Sequence, residues 1–168
     1  MLSFEHFLDV RYYETDQMGI VHHSNYIRYF ECGRVAMLKD LGLPVEKIEE
    51  AGVMLPVVSV ECRYKVPAKL GETLKIVSMI EEVPRAKLVI RNEIFNPEGQ
   101  LVCEGGVVLG FINSQTRRPV RCPDALVRIF EETFGSCRPA SFPWSGWHSA
   151  GGSGQRGGCT AFPETCLP

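Results

Sequence analysis

The chain lacks any apolar run approaching the roughly 20 residues that a membrane helix needs, and its opening MLSFEHFLDVRYYE lacks the basic, apolar and small-residue order of a signal peptide. No membrane insertion is expected, and a cytoplasmic location follows by default. Neither charge is in surplus: 18 Lys and Arg against 20 Asp and Glu leave a net charge of -2. Without a basic field to gather a polynucleotide, nucleic acid is set aside as a partner. The seven cysteines contain no CxxC pair, and their odd number and irregular spacing favour neither a zinc site nor a disulfide framework. Cys62 and Cys103 fall in apolar, strand-like runs, where a reduced thiol behaves as a small hydrophobe.

What is present fits a single globular domain: 168 residues, 45% hydrophobic and 23% charged. Residues 4–13, FEHFLDVRYY, roughly alternate apolar and polar and predict a first strand. Across 24–41 the period becomes helical, with Tyr26, Phe30, Gly33, Met37 and Leu41 on one face. Ser24 or Asn25 is placed to cap the first free amides, and Gly42 with Pro44 to end the run. The small Gly33 and Ala36 would let this helix lie close on a sheet.

A shorter amphipathic piece at 45–51 leads into strands at 57–66, 72–82, 87–95 and 101–113, separated by turn signals at 67–71, 83–85 and 96–99. In the first of these Val58, Val60, Cys62, Tyr64 and Val66 face one way and Ser59, Glu61, Arg63 and Lys65 the other, predicting one wet face. Gly105-Gly106 marks a bulge or a close approach of another backbone. A final helix is expected at 123–134.

Tight turns cannot link parallel neighbours, so the sheet is antiparallel. The fold class is α+β: an antiparallel sheet wrapped around one long central helix, the hotdog arrangement, over residues 1–134. Its free edge would be blunted most simply by a second copy of the chain, giving a homodimer and leaving open a tetramer. Residues 135–168 scatter Gly, Ser and Pro without an apolar period and hold both tryptophans, Trp144 and Trp147; they read as a disordered tail.

Chemistry concentrates in 13–29, YETDQMGIVHHSNYIRY. An aspartate just before a glycine loop is ordinarily a turn residue, and His22 reads as a solvated loop residue. A metal site from Glu14, Asp16, His22 and His23 has no supporting pattern, because adjacent histidines diverge and no outer ligand shell is visible. Tyr26 and Tyr29 read as core or pocket wall.

The run Asp16-Gln17-Met18-Gly19-Ile20-Val21-His22-His23-Ser24-Asn25-Tyr26 resembles the signature of the 4-hydroxybenzoyl-CoA thioesterase family: an Asp, two residues, Gly, a branched pair, two variable residues, a small or proline residue, then Asn-Tyr. The likeness continues through Leu41-Gly42, YKVPAKLG at 64–71 and Arg117-Arg118-Pro119, covering about residues 5–134 and leaving the tail unexplained. Among the subgroups it is nearest to acyl-CoA thioesterases of the kind found beside the Tol-Pal envelope system.

This resemblance implies hydrolysis of an acyl-CoA thioester to free acid and CoA, without metal or other cofactor, in a pocket at the interface of a hotdog dimer. Asp16 would act as nucleophile or general base. The backbone amide of His23 at the helix start would polarise the carbonyl, and its side chain would position water or substrate. Gly19, Val21 and Tyr26 are carried over as substrate-binding positions. Arg117-Arg118 is the most compact cationic pair for the CoA phosphates. Two alternatives stay open: a thioesterase acting on acyl groups held by a carrier protein, and a non-catalytic acyl-binding hotdog module.

Overall fold

Helix α1 (Asn25–Asp40) is the element on which the others are laid. The structure, a computed structural model, describes residues 1–136; from 137 onward the expected tail lies outside the described residues. The apolar period of α1 buries Tyr26, Tyr29, Phe30, Gly33, Met37 and Leu38, and this face lies mainly against strands β1 (Leu2–Asp9) and β4 (Thr73–Ile80). The approach is closest at Gly33, where a Cβ would stand 2.6 Å from Ser78 Oγ and 2.8 Å from Ile76 Cγ2. The small residue is what lets helix and sheet meet.

Beyond α1 come α2 (Val45–Glu50), β2 (Val53–Met54), β3 (Val57–Tyr64), β4, β5 (Lys87–Phe95), β6 (Leu101–Gly110), β7 (Ile112–Asn113) and α3 (Asp124–Ser136). Five strands form one sheet in the order β1-β4-β5-β6-β3, each neighbouring pair antiparallel. Strict alternation buries Leu74, Ile76 and Ile80 on β4 and Leu88, Ile90 and Ile94 on β5, with Ile76 directly opposite Ile94. Each such side chain contributes about 1.5–3 kcal/mol by leaving water. An antiparallel sheet around one long helix is the hotdog arrangement expected of the sequence.

Several boundaries differ, each for a local reason. β1 stops at Asp9 rather than running to Tyr13, because the Arg11 amide donates to Glu14 Oε2 at 2.8 Å and draws 12–14 into one turn of 3₁₀ helix. β3 has no single wet face. It is an edge strand paired only with β6, so Val57, Val58 and Tyr64 are exposed and only Val60 and Cys62 are half-buried. The strand expected over 101–113 breaks at Phe111, and Ile112–Asn113 pairs instead with Val53–Met54 in a separate two-stranded ribbon. Register runs unbroken through Gly105-Gly106, so the glycines serve a close approach and not a bulge: a Cβ at 105 would meet the Glu61 carbonyl oxygen and the Phe30 ring. α3 carries two residues past the expected boundary at 134. Among the described residues, no helix is long and apolar enough to cross a membrane.

Candidate active site

The segment between β1 and α1 is organised around Glu14, which is buried. Its carboxylate accepts from the Arg11 amide and, at 2.9 Å, from the Tyr29 hydroxyl on α1. Its carbonyl accepts from the His22 amide and the Asn25 side-chain amide, both at 2.8 Å. One residue thus ties the strand end, the loop and the first turns of the helix together. Burial, and then the Glu14 carboxylate, hold the Tyr29 hydroxyl well above the ordinary phenol range, so it stays a donor.

After Glu14 the chain makes a small hairpin. Thr15 bridges Val21, the Asp16 amide donates to the Ile20 carbonyl at 2.9 Å, and Gly19 closes the turn with φ +75, a conformation that glycine adopts at no steric cost. The hairpin is held from outside by the Val21 amide on the Ala68 carbonyl at 2.8 Å and by the bridge of Ile20 to Lys69. Asp16 Oδ1 accepts the Met18 amide at 2.8 Å, the ordinary side-chain-to-backbone turn of an aspartate. Among the described residues, Oδ2 accepts no hydrogen bond, and the side chain is half-exposed.

The helix start is capped differently from the expectation. Ser24 is already helical in backbone and neither it nor Asn25 caps with its side chain. The Ser24 hydroxyl lies 2.9 Å from His22 Nδ1, and the Ser24 amide donates to the same nitrogen at 3.4 Å, while the Asn25 amide donates to the His22 carbonyl. His22 therefore supplies the cap that was assigned to its neighbours, because Asn25 is drawn inward onto Glu14. The His23 amide has no acceptor among the described residues and sits at this positive helix end.

A ring cluster flanks that amide. His23 packs on His22 with ring centres 4.1 Å apart and meets Tyr64 edge-on at 6.4 Å; Tyr64 in turn lies 5.3 Å from Tyr26. The Tyr64 hydroxyl donates to the His23 carbonyl at 3.1 Å, and the Tyr26 hydroxyl accepts the Ala68 amide at 3.3 Å. Partial burial, with the neighbouring Cys62 thiol, pushes the Tyr64 hydroxyl up to about 12.

The structure thus brings His23, Tyr26 and Tyr64 together, and sets Asp16 and Gly19 in one turn joined to that cluster through the backbone of Ile20, Val21 and His22. It places no contact between the Asp16 carboxylate and His23. The Val21 and Tyr26 side chains are buried in the protomer's own core. The sequence names Glu14 only within a discounted metal set and Tyr64 only as a strand residue at the head of YKVPAKLG; it assigns neither a place in the site. Of the basic residues, Lys65 is paired with Glu104 and Arg85 with Glu131. Arg117 joins Arg34 in a cavity of about 220 Å³ walled by Ile48, Met54 and Ile112, which includes no residue of the Asp16–Tyr26 run. No group of three or more His, Cys, Asp or Glu side chains is arranged to hold a metal ion among the described residues.

The sequence pattern of the thioesterase-like superfamily matches residues 10–130. The chain belongs to that family. A putative acyl-CoA thioesterase, YneP of Bacillus subtilis, is 46% identical over 94 residues, which cover 56% of this chain and 68% of the relative. The acyl-CoA thioester hydrolase YbgC of Escherichia coli is 27% identical over 123 residues, covering 73% of this chain and 92% of the relative. Among solved structures, a DHNA-CoA thioesterase from Staphylococcus aureus superposes with a TM-score of 0.74 at 28% identity, over 80% of this chain and 93% of that one. As a member of the thioesterase-like superfamily, the protein is a thioester hydrolase with the hotdog fold.

Proposed function

We propose that the protein hydrolyses acyl-CoA thioesters to free acid and CoA, with Asp16 supplying the carboxylate and the His23 amide the carbonyl-polarising donor. The observation that carries this reading is the hairpin running directly into α1. Among the described residues, it holds a carboxylate with one unengaged oxygen and leaves an amide without an acceptor at the positive end of the helix, where developing negative charge is favoured. Asp16 either attacks the thioester carbonyl carbon or takes a proton from the water that does; collapse of the tetrahedral species expels the CoA thiolate. Tyr26 and Val21 then shape the floor of the acyl site rather than touch the reacting atoms, in keeping with their burial. Gly19 supplies the positive φ with which the turn beside the carboxylate closes.

The Met18 amide on Asp16 Oδ1 favours a second reading, in which Asp16 only shapes its turn and the protein binds acyl groups without cleaving them. Asp16→Asn separates the two, because its side-chain carbonyl can still accept that amide while the negative charge is gone. On a panel of acyl-CoA substrates, thiol release by Asp16→Asn and Asp16→Ala is expected to fall by about a hundredfold or more. Wild-type rates in Asp16→Asn would defeat the catalytic assignment. The same acyl groups presented on a carrier protein decide whether CoA is the preferred handle.

The substrate pocket is completed, on this reading, by a second copy paired along β3, whose edge leaves backbone groups unpaired and exposes Val57, Val58 and Tyr64. Sedimentation equilibrium is expected to return a dimer or a multiple of it; a monomer at micromolar concentration would contradict this assembly.

A further inference from the structure

The inner face of the sheet carries two thiols that neither the hairpin nor the helix start uses. Cys62 on β3 stands opposite Gly105, and Cys103 on β6 stands opposite Tyr64, so the two cysteines are diagonal neighbours on the same face of an antiparallel pair. Their sulfurs are 3.1 Å apart. Cys103 is fully buried, whereas Cys62 lies half-buried on the edge strand, within reach of solvent. We propose that Cys62 and Cys103 form an oxidisable dithiol, a modification site that takes hydrogen peroxide and closes a reversible disulfide between β3 and β6, beside the residue that holds the His23 carbonyl.

The chemistry balances with the peroxide alone. The Cys62 sulfur, the more accessible of the two, attacks one peroxide oxygen; the O–O bond breaks, Cys62 becomes a sulfenic acid, and the first water leaves with the thiol proton. The Cys103 sulfur then attacks the sulfenic sulfur and expels hydroxide, which takes the Cys103 proton as the second water. Two thiols lose two electrons and one peroxide gains them. The sulfurs, 3.1 Å apart, need to close by about 1 Å to reach the bond length of about 2.05 Å. Burial holds the Cys103 thiol far above its ordinary range, which leaves the more accessible Cys62 as the sulfur that meets the peroxide. The other described cysteines provide controls within the same molecule: Cys32 is exposed and Cys122 buried, and neither lies near a second described thiol.

The test is made on the full reduced chain treated with a small excess of hydrogen peroxide, then alkylated, digested and mapped by mass spectrometry. The expected product is a peptide linked between Cys62 and Cys103, two hydrogens lighter, that dithiothreitol reopens. Both thiols should escape alkylation on the order of tenfold sooner than Cys122. In Cys103→Ala the reaction should stop at the sulfenic acid, read as a dimedone adduct on Cys62; in Cys62→Ala, Cys103 should stay unmodified. The proposal is overturned if Cys62 and Cys103 alkylate in step with Cys122, or if oxidation links Cys62 to a second copy instead. The wild-type map decides the matter even if a variant fails to fold, and it is independent of whether the protein cleaves acyl-CoA.

Discussion

The Tyr64 hydroxyl reaches the His23 carbonyl at 3.1 Å across 41 positions of sequence, tying the end of the edge strand to the start of α1. The bond restrains the peptide that follows the proposed carbonyl-polarising amide, so its value lies in position rather than in fold stability. Tyr64→Phe is expected to lower kcat about fivefold, the equivalent of one net hydrogen bond of about 1 kcal/mol, while KM stays within about twofold. Steady-state kinetics on an acyl-CoA would check it. A rise in KM alone would assign Tyr64 to ground-state binding instead.

Tyr29 and Glu14 form the buried counterpart of that tie. Removing the hydroxyl in Tyr29→Phe leaves the Glu14 carboxylate with the Arg11 amide as its remaining donor among the described residues. A hydrogen bond to a buried charged group is worth about 1.5–3 kcal/mol, and urea unfolding should show a loss in that range. An unchanged midpoint would mean that Glu14 is held by its backbone contacts alone.

Gly33 sets how closely α1 can lie on β4. In Gly33→Ala the added methyl would meet Ser78 Oγ and Ile76 Cγ2 well inside contact distance, and Ser78 is fixed by its 2.8 Å bond to Asn92. Overpacking of about 1–3 kcal/mol outweighs the helical preference for alanine of about 1 kcal/mol, so the melting temperature should fall. Adding Ser78→Ala should recover part of the loss; a stabilised single variant would contradict the packing.

Glu93 stands directly opposite Glu104 on the neighbouring strand. Burial first, and then Glu104, raise its carboxyl pKa above the ordinary value of 4.5. The folded protein therefore binds this proton more tightly than the unfolded chain, and stability falls as pH rises through the folded pKa. Glu93→Gln should stabilise the protein at neutral pH by roughly 0.2–1 kcal/mol, the usual scale of a cross-strand pair. The gain should vanish below pH 4.5, where the native carboxyl is also neutral. Thermal melts at several pH values read it directly, and a gain independent of pH would point to packing.

The sequence by itself determined the class of the fold, because periodicity is a local property: the helical face from Tyr26 to Met37 and the alternation of β4 and β5 need no partner to be recognised. It also located the Asp16-to-Tyr26 run, since a glycine turn followed by a helix start is written in contiguous residues. Tertiary structure alone decided what the side chains in that run do. Asn25 leaves the cap because Glu14 is buried beside it, and His22, read as a loop residue, takes the capping role that Asn25 and Ser24 vacate. β3 loses its dry face because it stands last in the sheet order, which short turns do not specify. Cys62 and Cys103, 41 positions apart and read separately as small hydrophobes, become neighbours only through the register of β3 on β6. Contacts of this kind depend on strand order and on which groups are cut off from water, and both are set by the packed chain as a whole.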